Sequence, residues 1–429
     1  MSTQSMRRRT FLQRFGVGLV GLHPDALARI ESAATRVVGL TPQEVARDED
    51  YWFEIRRAYT VDPNEINLNS GSVSPAPRVV QEAVAHYQTI TNMSPSLWVD
   101  EMLGPHRELV RNRLAELAGA SPEEIAVTRN TSESLQIVQL GMELAPGDEI
   151  LLTTQDYPRM ITTWRQRERR DGVVLKMFPV PSPPDDPMEL VELYRQQITP
   201  RTRVLHMSHV TFTAGQIFPV REICAMARER GIRTVVDGAH SFAHFPFRLD
   251  ELGCDVFGTS LHKWLTAPVG TGMLYVRREL IPEIWALTPA PASMDDDIRK
   301  FEQIGTFPLA IPNAIGEAIT FHQSIGSDRK AERLRFLRRR WMEQVTDVPG
   351  VTFYTANDDV QAGALATMGI DGIGAADLTQ RLQDGYSIHV RPRFVENEWE
   401  GIRVTPNVFS TLEEVDTFAG AIREIAAEG

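Results

Sequence analysis

Between positions 105 and 119 the chain reads PHRELVRNRLAELAG, and its apolar residues Leu109, Val110, Leu114 and Leu117 recur at helical spacing. The period then changes. EIAVT is a short apolar strand, and NTSESLQIVQLGM after it reads as a helix opened by Asn130, Thr131 or Ser132. Further strands are predicted at DEILLT, GVVLKMFPV, TRVLHMSH, IRTVVDG, CDVFGTS and GTGMLYV, with helices such as REICAMARERG between them. Apolar strands alternating with helices predict an α/β fold, a mainly parallel sheet flanked by helices. Residues that carry chemistry then belong at the carboxyl ends of the strands.

The alternation breaks near PAPASMDDD. Helices follow at IPNAIGEAITFHQSIG and from 328 to about 346, where the charge run RLRFLRRRW predicts a solvated helix face. VTFYT, GALATMGI, a helix over 375–384, SIHVRPR, GIRVTPN and TLEEVDTFAGAIREIAA together predict a small C-terminal α+β domain. The expected divisions are 1–28 as an export signal, 29–75 as an N-terminal segment, 76–310 as the large domain and 311–429 as the small one. PVPSPPDDP, near Val180, reads as a surface loop.

Composition narrows the partners. With 42% hydrophobic and 24% charged residues over 429 positions, the chain has the make-up of a globular enzyme or binding protein. A formal net charge of −12 argues against nucleic acid or an anionic membrane surface as partner, while leaving room for a local basic pocket. Past the N-terminus no stretch is apolar for long enough to span a bilayer. The two cysteines, Cys224 and Cys254, sit in apolar segments and are expected as buried free thiols. At the N-terminus, Arg8 and Arg9 precede Phe11 and Leu12 and a short apolar stretch, with Ala26-Leu27-Ala28 beyond. That pattern predicts a twin-arginine signal and a periplasmic or otherwise exported protein carried by the twin-arginine translocase. A basic, helix-capping start on a cytoplasmic protein is the alternative.

Two strand ends carry the sharpest chemistry. RTVVDGAH places Asp237 just past an apolar strand with His240 beyond it, and CDVFGTSLHK places Ser260, His262 and Lys263 past the next. An ion pair between Asp237 and Lys263 would explain both charges. The fuller explanation is a pyridoxal 5'-phosphate site, which needs an amine for a Schiff base and a carboxylate to hold a proton on the ring nitrogen. TRNTSES supplies a phosphate cradle, with Thr131 and Ser132 at a helix N-terminus, although helix capping alone uses the same residues. Tyr157, after LLTTQD, is placed to stack on a flat ring or simply to pack. Arg403, in GIRVTPN, offers a fork for a carboxylate, or an ordinary salt bridge. No G-x-G-x-x-G follows the first strand, which disfavours a dinucleotide-binding dehydrogenase.

Taken in order, TRNTSESL, DYPRMITTW, SHVTFTAGQIFPV, VDGAHSFAHFP, GTSLHKWLTAPVGTGMLYVR, IGTFPLAIPNAIGEAITF and GIRVTPNVFSTLEEVDTF resemble the class V aminotransferases, in the branch of the isopenicillin N epimerase-like enzymes. The resemblance runs from about Asn67 to the end. It implies the fold type I architecture of pyridoxal phosphate enzymes, with Lys263 as a buried Schiff-base lysine and Asp237 at the pyridine nitrogen. It further implies His240 by the phenolic oxygen, Tyr157 on the ring face, and Thr131, Ser132, Ser260 and His262 at the phosphate. Thr306 would reach the partner's phosphate in a homodimer with a shared active site, Arg403 would bind the substrate carboxylate, and Asn69 would lie on the substrate side.

Desulfurases of the family carry a nucleophilic cysteine in a loop that here reads SIHVRPRFVENEWEG, so a persulfide-forming mechanism lacks its nucleophile. What is left is a reaction at the α-carbon of an amino-acid-like small molecule, by transamination or epimerisation. Elimination at the β-carbon is an alternative, as is a non-catalytic protein that binds the cofactor. The export signal adds a resemblance to periplasmic family members that tailor the side chains of peptide siderophores of the pyoverdine type.

Overall fold

A computed structural model describes residues 24–428. The Arg8-Arg9 run lies outside them. Ala26-Leu27-Ala28 falls in the helix Pro24–Arg36, whose Ile30 and Ala33 pack into the large-domain core.

The first strand, β1 (Ile66–Asn67), lies apart from the central sheet. Seven strands then make up that sheet: β2 (Ile125–Thr128), β3 (Glu149–Thr153), β4 (Val174–Phe178), β5 (Thr202–Ser208), β6 (Arg233–Asp237), β7 (Val256–Ser260) and β8 (Gly272–Val276). Their spatial order is β2-β8-β7-β6-β5-β3-β4, and only β8 runs against the rest. β2, β3, β7 and β8 are buried at every residue, which is why they read as unbroken apolar runs instead of alternating ones. Six strands, β2, β3, β4, β5, β6 and β7, therefore end on one edge, where the chain reverses into loops and helices.

Two glycines allow close approaches at that edge. A Cβ on Gly272 would stand 2.6 Å from the backbone nitrogen of Asn130, so only glycine lets β8 begin beside the following helix, Thr131–Gly141. A Cβ on Gly238 would collide with the Phe257 ring at 1.8 Å, so glycine is required directly after Asp237.

The helix Gly104–Ala118 forms as its spacing predicts, but it turns a different face inward. Val110, Leu114, Ala115 and Ala118 are buried, whereas Leu109 is 49% exposed. The inward stripe also takes in Arg111, fully buried against Glu302 at 2.6 Å. Hydrophobicity alone could not place a paired arginine on that stripe.

A second sheet holds β9 (Val351–Phe353), β10 (Ala366–Ile370), β12 (Arg391–Val395) and β13 (Trp399–Val404), in the order β12-β13-β10-β9 and antiparallel throughout. β11 (Ile388–His389) pairs in parallel with β1, so the expected single strand SIHVRPR is two short ones. The helix Ser327–Val345 joins the domains. Its Leu334 belongs to the large core, and its Leu337, Trp341, Met342 and Val345 to the small one. Helix Ile315–Ile325 also packs into the large core, so the cores divide within the long helix and not at 310/311.

The charge run on this helix is not a solvated face. Arg333 and Arg338 are fully buried; the first pairs with Glu49 and donates to the carbonyl of Ala46, and the second donates to Asp359 and to the carbonyl of Asp358. Each long stem crosses apolar surface to reach an acceptor.

Candidate active site

Residues 67–74 run between the two domains. β1 pairs with β11, Asn69 bridges to Thr405, and the Ser74 N–H donates to the carbonyl of His262. This segment, the carboxyl edge of the central sheet and the β12–β13 hairpin enclose a cavity of about 450 Å³. Thr131, Ser132, Tyr157, Asp237, His240, Ser260, His262, Lys263 and Arg403 all line it. They come together because each ends a strand or follows one, except Arg403, which lies within β13.

One end of the cavity is built around the start of helix Thr131–Gly141. Its cap is Asn130, whose side chain accepts from the Glu133 N–H at 2.9 Å, so neither Thr131 nor Ser132 is needed for capping. Glu133 pairs with Arg129 and closes no box on Thr131. The Thr131 N–H donates to Ser260 Oγ at 3.0 Å, and the two hydroxyls lie 2.7 Å apart. Hydroxyls grouped at a helix N-terminus suit an anion.

Mid-cavity lie Lys263, Asp237 and His240. Lys263 Nζ stands 3.2 Å from His240 Nε2. Burial, with Arg403 and Arg393 nearby, lowers the Lys263 amine to about 7 against an upward pull from Asp237. Lys263 is half-buried and not enclosed, because it opens onto the cavity. Asp237 is buried and accepts from the Ala239 N–H at 2.9 Å; desolvation raises its carboxyl, while that hydrogen bond and Lys263 oppose the rise. Burial first, and then Lys263, hold His240 well below the usual imidazole range, so its ring is neutral. Burial likewise lowers His262 to about 4.

The Nδ1 atoms of His240 and His262 are buried and have no hydrogen-bond partner among the described residues. Buried polar atoms normally find partners, so both point to a polar group that completes the site. An amine, a buried carboxylate and a hydroxyl-lined helix start spaced along one cavity fit pyridoxal 5'-phosphate.

The far wall is cationic. Arg403 is buried in β13 and donates to the carbonyl of Phe212 at 2.9 Å, to Ser72 Oγ at 2.9 Å and to Asn69 Oδ1 at 3.2 Å. Asn69 thus reaches the site by holding Arg403 and does not itself line the cavity. Tyr157, 39% exposed, makes a T-shaped contact with Phe212, ring centroids 5.3 Å apart. Thr306 is exposed and does not line this cavity; any role at a phosphate requires a second copy of the chain. Cys224 and Cys254 are free and buried in the large-domain core, and neither lines the cavity.

Sequence reasoning missed Ser72, Ser208, Phe212, Arg391 and Arg393, which also line the cavity. A signal for the arginines was present in R-P-R: residues two apart on a strand share a face. Ser208 ends β5 and donates to the buried Asp156 at 2.8 Å. No motif marked that pair.

Comparison with known proteins agrees with this geometry. The family model described as aminotransferase class-V matches residues 66–393. An isopenicillin N epimerase of Streptomyces clavuligerus is 31% identical over 396 residues, covering 88% of this chain and 99% of that protein. The isopenicillin N epimerase of Amycolatopsis lactamdurans is 32% identical, with 87% and 98% covered. Among solved structures, the apo cysteine desulfurase of Thermococcus onnurineus superposes with a TM-score of 0.77 at 23% identity, covering 89% of this chain and 98% of that one. This last likeness is one of fold. The chain belongs to the class-V aminotransferase family, in its isopenicillin N epimerase-like branch, and is a pyridoxal 5'-phosphate-dependent enzyme.

Proposed function

We propose that this enzyme moves a proton at the α-carbon of an amino-acid-like substrate, as an epimerase or an aminotransferase does. The observation that carries the reading is the placement of Lys263. Its amine lies 3.2 Å from a neutral histidine, in one cavity with the Arg403 guanidinium. The cofactor, when bound, supplies an aldehyde carbon for an amine and a pyridinium ring that accepts the electron pair left by a departing proton. Asp237 would hold the proton on that ring nitrogen. Thr131, Ser132, Ser260 and His262 would bind the phosphate, and Tyr157 would cover the ring.

Arg403 takes the substrate carboxylate, held for that task by Asn69 and Ser72. Lys263, lowered to about 7, is uncharged for a large fraction of the time near neutral pH and can then remove the α-proton. His240, neutral and 3.2 Å from Nζ, orients that amine by hydrogen bonding without adding charge.

The test uses Lys263→Ala beside the native holoenzyme, incubated with single amino acids in deuterated water. Native enzyme is expected to place deuterium at the α-carbon. An inverted product then identifies an epimerase, and a keto acid an aminotransferase. Lys263→Ala should lose the visible absorbance of the bound cofactor and the exchange together. A variant that keeps both would sink the assignment.

We also propose that the protein is exported through its twin-arginine signal and acts as a homodimer in which Thr306 contacts the partner's phosphate cradle. Support comes from the Arg8-Arg9 run and from the exposed position of Thr306. An exported enzyme would meet its substrate outside the cytoplasm, and the side chain of a peptide siderophore is a substrate of that kind.

A further inference from the structure

Lys263 Nζ and His240 Nε2 lie 3.2 Å apart, and among the described residues neither side chain has another hydrogen-bond partner to fix it. What holds that spacing must therefore act through the two backbones. Their loops are joined behind the cavity by a pair of stacked rings. His244 and Trp264, both fully buried, face each other with centroids 3.9 Å apart and planes 11° from parallel. Trp264 follows Lys263 directly, and its carbonyl accepts from the buried Lys330 of helix Ser327–Val345. His244 lies on the loop that carries His240.

Hydrogen bonds set the tautomer of His244. A backbone amide can only donate, so Nε2, 2.7 Å from the Ala364 nitrogen, is the bare acceptor. Nδ1 then carries the proton and donates to the His240 carbonyl at 2.8 Å. Burial holds the imidazole at about 3 against the pull of that carbonyl, so the ring stays neutral and the arrangement is fixed. Ala364 packs in the large core and Ala366, two residues on, in the small one. The ring thus ties a segment between the domains to His240 on one side and to the neighbour of Lys263 on the other. Both loops bend through left-handed backbone at residues other than glycine. Ala243, with φ 59°, precedes His244, and Thr266, with φ 57°, follows Trp264 by two. Such conformations persist where surrounding contacts over-determine them.

We infer that His244 is a positioning residue: it sets the distance between Lys263 and His240, and makes that distance depend on how the small domain is seated. The inference rests on Lys263 as the amine that meets the cofactor and holds for any reaction that follows.

Two variants separate positioning from packing. His244→Phe keeps the stack and loses both hydrogen bonds. Gly363→Ala pushes a methyl against the ring, since a Cβ there would stand 2.4 Å from His244 Cε1, and Gly363 does not line the cavity. Visible circular dichroism of each holoenzyme, recorded at equal bound cofactor, reports how the cofactor sits against Lys263 and needs no substrate. Both variants are expected to lose much of the native band. In the α-deuterium exchange, kcat should fall about ten- to a hundredfold, the usual cost of a displacement of about 1 Å, with KM within about twofold. If both variants load with cofactor and keep the native band and kcat, the inference is wrong, whatever their melting temperatures. Should His244→Phe fail to load, Gly363→Ala decides alone. A changed band beside a native enzyme that exchanges no α-proton would leave the inference standing and overturn the proposed reaction.

Discussion

A single amine shows what burial does to chemistry in this site. Lys263 is lowered to about 7 by burial and by Arg403 and Arg393, from an ordinary value of 10.5. Between these two values the unfolded chain binds a proton that the folded chain does not. Burying the charge therefore destabilises the cofactor-free protein below about pH 7, and that cost fades as the pH rises toward 10.5. Capture of pyridoxal 5'-phosphate by the cofactor-free protein should accelerate with a midpoint near pH 7, followed by the growth of visible absorbance. A midpoint near 10 would mean that Nζ is solvated as an ordinary lysine. Lys263 and Asp237 were legible in the sequence because each follows an apolar strand directly. For Arg391 and Arg393 the R-P-R spacing gave a shared face and no more, because their place beside the site depends on the β12–β13 register, which puts Arg391 across from Arg403.

The long helix Ser327–Val345 teaches the same lesson one level up. Its extent was legible from pattern within a residue or so, yet the fate of its arginines was not. A charged residue on a helix is solvated unless the packed neighbours bring an acceptor, and here Glu49, Asp359 and the carbonyls of Ala46 and Asp358 come from distant segments. Arg333→Ala should cost about 2–4 kcal/mol in denaturant unfolding, since it strands buried carbonyl acceptors of Ala46 and Ser410. Arg339→Ala removes a partly exposed pair with Asp359 and should cost under about 1 kcal/mol. Equal losses at the two positions would contradict the difference in burial.

For the whole molecule, export and assembly make a joint prediction. Cell fractionation should recover the native chain outside the cytoplasm as a two-chain species carrying cofactor, whereas Arg8→Lys with Arg9→Lys should retain it inside. Secreted peptides from a strain lacking the chain should then contain unmodified side chains if a siderophore is the substrate; an unchanged profile would dismiss that idea. The fold class was legible because strand and helix periods alternate so regularly. The insertion of residues 67–74 between the domains was not, since neither polarity nor spacing records a neighbour more than three hundred positions away. That insertion orders events during synthesis. The large-domain residues that line the cavity all precede position 264, whereas Asn69 and Ser72 wait for Arg403. The grip on a substrate is thus the last part of the site to be translated, long after the residues around Lys263.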